Sequence, residues 1–337
     1  MEPLKTAILG CGSFSHRHAQ NLLSLGSQVE LVAFCDRHEE RAGAYNEKYA
    51  QGKAALYSHH AELLAREPLD LLIVCLPPYS HSDEVQRAAE RGVHLLLEKP
   101  IALSSEHAWR MVAAVESAGV KTQVGFMFRF GEAVEQVKRL IDSGEAGQPG
   151  LMTARYFCNS LHAPWWRVRE KSGGQLVEQV IHMVDLMRYL MGEPVSIFSR
   201  QENLFHRQVP DYSIEDTSAS VVSFQNGAIG VIYASNGAIP NRWINDYRIV
   251  TQRTTTEFAS ANNATIHFTD EIDRPPLVIA SQRNIYLAEL QDLIQAIRTG
   301  GETRTPIREG ARSLDLALAA TRSAQARQEI ILKPPLG

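Results

Sequence analysis

The sequence predicts an α/β protein, with a doubly wound parallel sheet at the N-terminus and a second α+β domain that contains a largely antiparallel open sheet. Short aliphatic runs alternate with helical segments over residues 4–125, a pattern typical of βαβ units. After residue 150, runs of alternating apolar and polar residues indicate antiparallel strands instead. The length of 337 residues fits about two domains of ordinary size.

The elements of the parallel sheet are predicted within the first 125 residues. Strands are expected where β-branched and aliphatic residues cluster, at residues 6–9, 29–35, 71–76, 93–97 and 122–125. Helices are expected where apolar residues recur at helical spacing, at residues 16–25, 39–49, 80–91 and 105–118. Because helices separate the strands, we expect parallel strands with helices on both faces.

The elements of the second sheet begin after residue 150. Residues 218–224 and 228–234 alternate in polarity and are joined by Asn226-Gly227, a strong signal for a β-hairpin. Further strands are predicted at residues 151–158, 195–199, 247–251 and 255–258. Helices are predicted at about residues 174–190, 286–298 and 308–327, with Gly300-Gly301 ending the second of them. We therefore expect one domain over residues 1–124 and another over 125–337, with the C-terminal helices able to pack back on the first.

Composition excludes several classes of protein. The 34 Lys and Arg residues are balanced by 38 Asp and Glu residues, so the chain has no basic field for nucleic acid or anionic lipid. The longest aliphatic run, residues 71–76, is far shorter than the roughly 20 residues of a membrane span. The N-terminus lacks the tripartite order of a signal peptide, which predicts a cytoplasmic protein. The four cysteines are widely spaced, which favours unligated thiols over a metal site or disulfides.

A dinucleotide site is predicted at the start of the chain. Gly10-Cys11-Gly12 directly follows the first strand and precedes the first helix, where one glycine turns the chain and the other admits a pyrophosphate to the helix N-terminus. Ser15 occupies the third fingerprint position, which is usually glycine or alanine. Asp36 ends the second strand, where its carboxylate can accept hydrogen bonds from the ribose hydroxyls. A Rossmann domain is therefore expected, and a helix cap or turn is the alternative role for Asp36.

The charge at this position favours NAD as the cofactor. A carboxylate repels the 2′-phosphate of NADP and accepts from the 2′-hydroxyl of NAD. Arg37 follows Asp36 and could approach that phosphate. NAD is the expected cofactor, with NADP as the alternative.

Two segments carry candidate catalytic residues. Glu98-Lys99-Pro100 follows the strand at 93–97, at the edge of the sheet where ligands bind, although a solvated surface pair is an alternative. In the nearly apolar helix at 174–190, Glu178, His182 and Asp185 lie on one face. A buried polar stripe is either an internal hydrogen-bonded network or the wall of a site, and the residues alone leave both open. Glu178 and His182 have the spacing of two metal ligands, but no third ligand is recognisable, so no metal is expected.

The combination of motifs resembles the glucose–fructose oxidoreductase and inositol dehydrogenase family, Gfo/Idh/MocA. The motifs extend over nearly the whole chain: Gly10, Gly12, His18, Asp36, His81, Glu98-Lys99-Pro100, Gly173-Gly174, His182, Asp185 and residues 300–326. The resemblance implies an NAD(P)-dependent dehydrogenase that oxidises one secondary alcohol of a sugar, inositol or related polyol. It also implies that the Lys99–Pro100 bond is cis, that Lys99 and His182 transfer the hydroxyl proton, and that the second domain binds substrate and forms a homodimer or homotetramer through its open sheet.

The predicted site residues fall into three groups. The catalytic residues are Lys99, His182 and Glu178, although many family members have Asp at the position of Glu178. The cofactor-binding residues are Gly10, Gly12, Ser13, Phe14, Asp36, Arg37, Leu76, Pro77, His81, Glu98 and Lys99. The substrate-binding residues are Lys99, Arg129, Tyr156, Trp165, Trp166, Arg167, Glu178 and His182, with core packing as the alternative for the two tryptophans.

Two other functions fit the same scaffold. An NAD-dependent glycosidase would oxidise its substrate transiently and release no net NADH. A non-enzymatic NAD-binding regulator would need neither Lys99 nor His182, so the presence of both argues against it.

Overall fold

The computed structural model describes residues 2–271 and 273–332. The chain forms two compact units, and each contains one sheet. The first unit comprises Met1–Gly125 and Tyr286–Ala311, and the second comprises Phe126–Ile285 and Arg312–Gly337. The predicted span 125–337 is therefore interrupted, because the segment Tyr286–Ala311 belongs to the first unit.

The sheet of the first unit has six parallel strands: β1 (Leu4–Leu9), β2 (Val29–Cys35), β3 (Ala55–Tyr57), β4 (Leu71–Val74), β5 (His94–Leu97) and β6 (Thr122–Val124). Their order is β3-β2-β1-β4-β5-β6, so the direction of winding reverses between β1 and β4. The predicted doubly wound sheet is confirmed. In such sheets the ligand binds outside the carboxyl ends of the strands at this reversal.

Five helices connect these strands: α1 (Ser15–Ser24), α2 (Glu39–Ala50), α3 (His60–Arg66), α4 (Glu84–Glu90) and α5 (Ser105–Ala118). Helix α5 has the predicted bounds because both of its ends have local signals. The Ser104 hydroxyl accepts from the His107 N–H, and Gly119 ends the helix with a φ of 67°. Helix α4 begins later than predicted because Pro78 starts a short 3₁₀ turn before it.

The sheet of the second unit has nine strands: β7 (Pro149–Phe157), β8 (Pro194–Glu202), β9 (Thr217–Phe224), β10 (Ile229–Ser235), β11 (Tyr247–Thr251), β12 (Thr254–Ser260), β13 (Asn263–Phe268), β14 (Leu277–Ala280) and β15 (Ile330–Ile331). Their order is β14-β13-β12-β11-β7-β10-β9-β8-β15, and among the described strands of this sheet only β7 and β10 pair in parallel. The largely antiparallel sheet is confirmed, and β9 and β10 form the predicted hairpin.

The two faces of this sheet differ. Four α-helices lie wholly within this unit: α6 (Glu132–Asp142), α7 (Arg169–Ser172), α8 (Gln175–Glu178) and α9 (Ile181–Met191). Helix α9 packs on β7 and β10, and a Cβ added at Gly230 would lie only 2.3 Å from the Met187 sulfur. On the opposite face Phe198, Val221 and Ile229 remain 40%, 45% and 48% exposed. The helices therefore cover only one face of the sheet.

The predicted helix over residues 174–190 consists of two helices, α8 and α9, separated by Gln179 and Val180. The Val180 N–H donates to the Gln175 carbonyl, five residues earlier, instead of continuing the regular helical pattern. The apolar sequence around this point contains no proline, so it carries no local signal for the break.

The last two helices are α10 (Ile285–Thr299) and α11 (Ile307–Ala326). Leu290 and Leu293 of α10 pack in one hydrophobic cluster with Ile8 and Phe34 of the parallel sheet. Within the described part of the chain, no helix is long and apolar enough to cross a membrane.

Candidate active site

The carboxyl ends of β1, β2, β4 and β5 meet at one edge of the first unit. Backbone hydrogen bonds join them: Gly10 N–H donates to Cys35 (2.8 Å), Cys75 N–H to Leu9 (2.8 Å) and Glu98 N–H to Val74 (2.9 Å). The predicted cofactor residues of this unit follow these strand ends. The structure therefore brings the glycine loop, Asp36 and Lys99 to the same edge, as expected for parallel strands.

The two glycines of the loop have different requirements. Gly10 has a φ of +92°, and a Cβ there would lie 2.4 Å from the Cys75 carbonyl oxygen, so only glycine fits. At Gly12, no heavy atom of the described residues lies within 4 Å of the position of a Cβ. This space lets a ligand approach the backbone, which is what a bound pyrophosphate requires. The loop therefore fits a dinucleotide.

Asp36 is held by main-chain donors on both sides. Its Oδ2 accepts from Cys11 N–H (2.8 Å) and its Oδ1 from His38 N–H (2.9 Å), and the residue is 8% exposed. A carboxylate has about four acceptor positions, so these two bonds leave capacity for ribose hydroxyls. Asp36 thus supports the turn after β2, and its contact with ribose stays a prediction.

The remaining residues of the predicted nucleotide site lie around this loop. Ser13, Phe14 and Arg37 are exposed, and the Arg37 Nε donates to the His38 ring at 3.2 Å. Leu76 and Pro77 are half-buried, and the Leu76 side chain lies 3.3 Å from the position of a Cβ at Gly10. Because Arg37 is exposed, its guanidinium can approach a 2′-phosphate. The preference for NAD over NADP therefore stays a prediction.

Glu98 is a buried anchor for Lys99. The carboxylate accepts from the fully buried His18 ring (2.7 Å) and from the Lys99 N–H (3.3 Å). A Cβ at Gly125 would lie 2.9 Å from this carboxylate, so glycine makes room for it. The Lys99–Pro100 bond is cis, as the resemblance implied. Glu98 is only 8% exposed, which contradicts the alternative of a solvated surface pair.

His81 forms a second buried pair with Glu84, which was not among the predicted residues. The ring Nδ1 lies 2.5 Å from Glu84 Oε1, and Glu84 also accepts from Ser82 N–H at 2.7 Å. Burial raises the pKa of Glu84, but the bonds from His81 and Ser82 outweigh it and lower the pKa to about 2. The His81 Nε2 is buried and has no hydrogen-bond partner among the described residues. Such an atom is typical of a position that a ligand completes.

In the second unit, His182 lies in the first turn of α9 and is 8% exposed. Phe126 and Phe128 flank its ring, with centroids at 6.4 and 5.3 Å. The aromatic neighbours restrict the orientation of the imidazole. The other two residues of the predicted polar stripe have different environments.

Glu178 is oriented by a tryptophan. Its Oε2 accepts from the Trp166 indole N–H at 2.8 Å, and Trp166 is 2% exposed in a cluster with Tyr212 and Ile214. Trp166 therefore packs in the core of its unit and positions Glu178, while stacking of this ring on a sugar stays a prediction. Trp165 is half-buried, so part of its surface remains accessible.

Asp185 and Arg129 form a buried bidentate ion pair. The Arg129 guanidinium donates to both carboxylate oxygens at 2.8 and 2.6 Å, and Ser313 adds a third bond at 3.0 Å. The predicted face of Glu178, His182 and Asp185 is therefore not one stripe, because Asp185 belongs to this internal network and Glu178 lies on the preceding helix. Arg129 has a structural role here, and its contact with substrate stays a prediction.

The other predicted substrate residues lie on β7 and in the loop after it. Tyr156 is 8% exposed and follows the same alternation as Met152 and Ala154, on the face that α9 covers. Arg167 donates to the carbonyls of Leu161 (2.7 Å) and His162 (3.2 Å). It therefore fixes the loop that carries His162.

Sequence reasoning missed a polar network next to Glu178. Gln179 donates to the His162 ring at 2.9 Å, and the Cys158 thiol donates to Asn236 at 3.1 Å. Burial raises the pKa of the Cys158 thiol to about 12, so it stays protonated. These residues come from separate elements, and no sequence motif connects them.

Across residues 2–271 and 273–332, no group of three or more His, Cys, Asp or Glu residues could hold a metal ion.

Comparisons with known proteins agree with this geometry. A model of an oxidoreductase family with an NAD-binding Rossmann fold matches residues 4–126, and a model of the GFO/IDH/MocA C-terminal domain matches residues 134–257. The myo-inositol 2-dehydrogenase of Thermotoga maritima is 28% identical over 99% of this chain and 100% of its own. The scyllo-inositol 2-dehydrogenase (NAD+) of Bacillus subtilis is 31% identical over 69% of this chain and 67% of its own.

A solved structure extends the likeness to three dimensions. The WlbA dehydrogenase of Bordetella pertussis, in complex with NADH and UDP-GlcNAcA, is 26% identical, and the match covers 99% of this chain and 100% of that one with a TM-score of 0.84.

Proposed function

This chain belongs to the Gfo/Idh/MocA family of NAD-binding oxidoreductases, and from this premise we propose that it oxidises one secondary alcohol group of an inositol, sugar or related polyol. The observation that carries the proposal is the buried Glu98 anchor, which holds the Lys99 backbone at the same sheet edge as the glycine loop. The inositol dehydrogenases among the relatives support the substrate class.

Bound NAD supplies the hydride acceptor for this reaction. The cofactor pyrophosphate would lie against Gly10 and Gly12, and Asp36 would accept from the ribose. In this proposal His182, together with Lys99, would accept the proton of the substrate hydroxyl. Glu178, oriented by Trp166, accepts a hydrogen bond from another substrate hydroxyl.

Substrate recognition is assigned to residues of the second unit. In this proposal the half-buried Trp165 offers an apolar surface to the C–H groups of a sugar ring. Tyr156 and Arg167 supply further hydrogen-bonding groups, and Arg129 acts through the position of α9. A cytoplasmic location stays a prediction of the sequence.

A spectrophotometric panel tests the function. Purified protein is mixed with inositols, aldoses, polyols and sugar acids in the presence of NAD or NADP, and the absorbance of the reduced cofactor is followed. We expect NADH to accumulate with at least one polyol or sugar, and to form at least about 100-fold more slowly in the variant Lys99→Met. Turnover of a glycoside without accumulation of NADH would favour the glycosidase, and cofactor binding without any turnover would favour the regulator.

We also propose that the chain forms a homodimer or homotetramer through the open face of the second sheet. Phe198 pairs with Val221 on neighbouring strands, and Val221 pairs with Val231 on the next, so apolar side chains form a continuous patch. Contiguous exposed apolar surface of this kind is typical of an interface. A second copy of the chain would bury it.

A further inference from the structure

The third position of the dinucleotide fingerprint, which is usually glycine or alanine, is Ser15 in this chain. Its side chain has specific hydrogen-bond partners in the structure. Ser15 is fully buried, and its hydroxyl donates to the Gly12 carbonyl at 2.8 Å. The Tyr45 hydroxyl, from α2, donates to the same carbonyl at 2.5 Å. The two hydroxyl oxygens are 3.0 Å apart. One carbonyl of the cofactor loop is therefore held by two side chains.

Ser15 and Tyr45 are buried and held in place by neighbouring side chains, so their contact is not a surface contact. Tyr45 is 2% exposed, and the His16 ring stacks on it with centroids 4.4 Å apart and an interplanar angle of 15°. His16 is in turn fixed by the Tyr49 hydroxyl at 2.7 Å. Burial raises the pKa of the Tyr45 phenol, which keeps it protonated as a donor. The carbonyl of Gly12 thus has a rigid partner on the side of α2.

The peptide group transmits this constraint to the opposite side. A trans peptide is planar, so the Gly12 carbonyl and the Ser13 N–H point in opposite directions. Holding the carbonyl against Tyr45 therefore directs the Ser13 N–H away from α2. The neighbouring Cys11 N–H already donates to Asp36, so it does not compete. The space at Gly12 leaves this part of the loop open to a phosphate.

We propose that Ser15 and Tyr45 are positioning residues for NAD, whose hydroxyls hold the Gly12 carbonyl so that the Ser13 N–H is presented to the pyrophosphate. Ser15 is small and fully buried, and its hydroxyl adds a donor that glycine or alanine would lack at the third fingerprint position. The inference rests on the NAD chemistry of the proposed function but concerns binding without substrate. If the inference about Ser15 and Tyr45 fails, the proposed oxidation of polyols is not contradicted.

The test measures binding of NADH by fluorescence titration, with ADP and adenosine as competitors. Because either hydroxyl can hold the carbonyl alone, we expect Tyr45→Phe and Ser15→Ala each to weaken NADH and ADP binding only about 2- to 5-fold. The double variant removes both donors and should weaken binding by more than the product of the single effects, that is by more than about 25-fold if each single variant loses 5-fold. Adenosine lacks phosphate and should bind unchanged.

Tyr57→Phe is the matched control, because it removes a tyrosine hydroxyl of the same unit that donates to Glu67 rather than to the loop. We expect it to lower thermal stability as much as Tyr45→Phe without changing ADP binding. Unchanged ADP binding in the double variant, or equal losses for ADP and adenosine, would overturn the proposal. If the double variant does not fold, equal ADP binding by Tyr45→Phe and Tyr57→Phe overturns it.

Discussion

At the scale of single residues, three buried carboxylates organise the edge of the parallel sheet. Asp36 accepts from two backbone N–H groups, Glu84 from His81 and Ser82, and Glu98 from His18 and the Lys99 N–H. Each carboxylate thereby fixes a turn that follows a strand. Pre-positioned turns of this kind lower the ordering cost of binding a ligand.

Asp36→Ala tests the choice of cofactor. The variant should weaken NAD binding by about 1.5 to 3 kcal/mol, the usual range for hydrogen bonds to a charged group. NADP should be weakened less, because the repulsion of its phosphate is removed as well. The loss of the Cys11 bond affects both cofactors alike, so the ratio of the two dissociation constants is the relevant measurement. Equal losses would remove Asp36 from the ribose site.

Lys99→Met and His182→Gln test the proton transfer. Each variant keeps much of the side-chain volume and removes the titrating group, so the turnover number should fall by roughly 10² to 10⁴-fold while NAD affinity changes little. The double variant should lose less than the product, since both groups serve one step. Lys53→Met, at an exposed lysine of the same unit as Lys99, is the control. A near-normal turnover number in either single variant would contradict its role.

At the scale of elements, strongly patterned segments were predictable and segments held by tertiary contacts were not. Helix α5 and the hairpin of β9 and β10 were found because their caps and turn are local in sequence. The short strands β3, β13 and β14 were missed because pairing with neighbours, rather than composition, defines them. The break between α8 and α9 was missed because the sequence around it carries no local signal such as a proline.

The candidate site shows the same division between local and tertiary signals. The positions of Asp36 and Lys99 after predicted strands, and of His182 within a predicted helix, could be inferred from local patterns. The bond of Glu84 to His81 and the bond of Trp166 to Glu178 became visible only in the structure, since no motif relates these side chains.

Glu84→Gln tests the buried pair that precedes α4. A depressed pKa means that the ionised carboxylate stabilises the fold above the ordinary pKa of 4.5, and that this contribution is lost as the pH falls toward about 2. The variant should therefore melt at a lower temperature than the unmodified protein at pH 7, and the difference should shrink steadily below the ordinary pKa. Glu90→Gln, at an exposed position of the same helix, should show neither effect.

Arg129→Met tests the anchor of α9. Removing one partner of a buried ion pair leaves the Asp185 charge uncompensated, which should cost about 3 to 5 kcal/mol of stability in urea unfolding. The double variant with Asp185→Leu should be more stable than Arg129→Met alone, because no buried charge is left without its partner. A stable single variant with a raised KM for substrate would instead support the predicted substrate contact.

At the scale of the whole molecule, the two sheets have different surroundings. The parallel sheet carries the nucleotide edge, whereas the nine-stranded sheet has helices on one face and exposed apolar residues on the other. Such an exposed face is a liability in a monomer. Its presence is the physical reason to expect association.

Substitution of the open face tests the oligomer. The unmodified protein should have the mass of a dimer or tetramer by light scattering, and Val221→Lys combined with Ile229→Lys should yield monomers because two buried charges oppose the contact. Ile239→Lys, at an exposed loop residue, should leave the mass unchanged. A monomeric unmodified protein would contradict the proposal.

The first unit is built from two separate stretches of chain, Met1–Gly125 and Tyr286–Ala311, and this restricts how the protein can exchange parts with its relatives during evolution. A single recombination crossover near residue 125 would separate the parallel sheet from α10, whose Leu290 and Leu293 fill its core. The hybrid would then combine a sheet from one parent with a helix shaped for another. We therefore expect the first unit to pass intact between related proteins only when both stretches are transferred together.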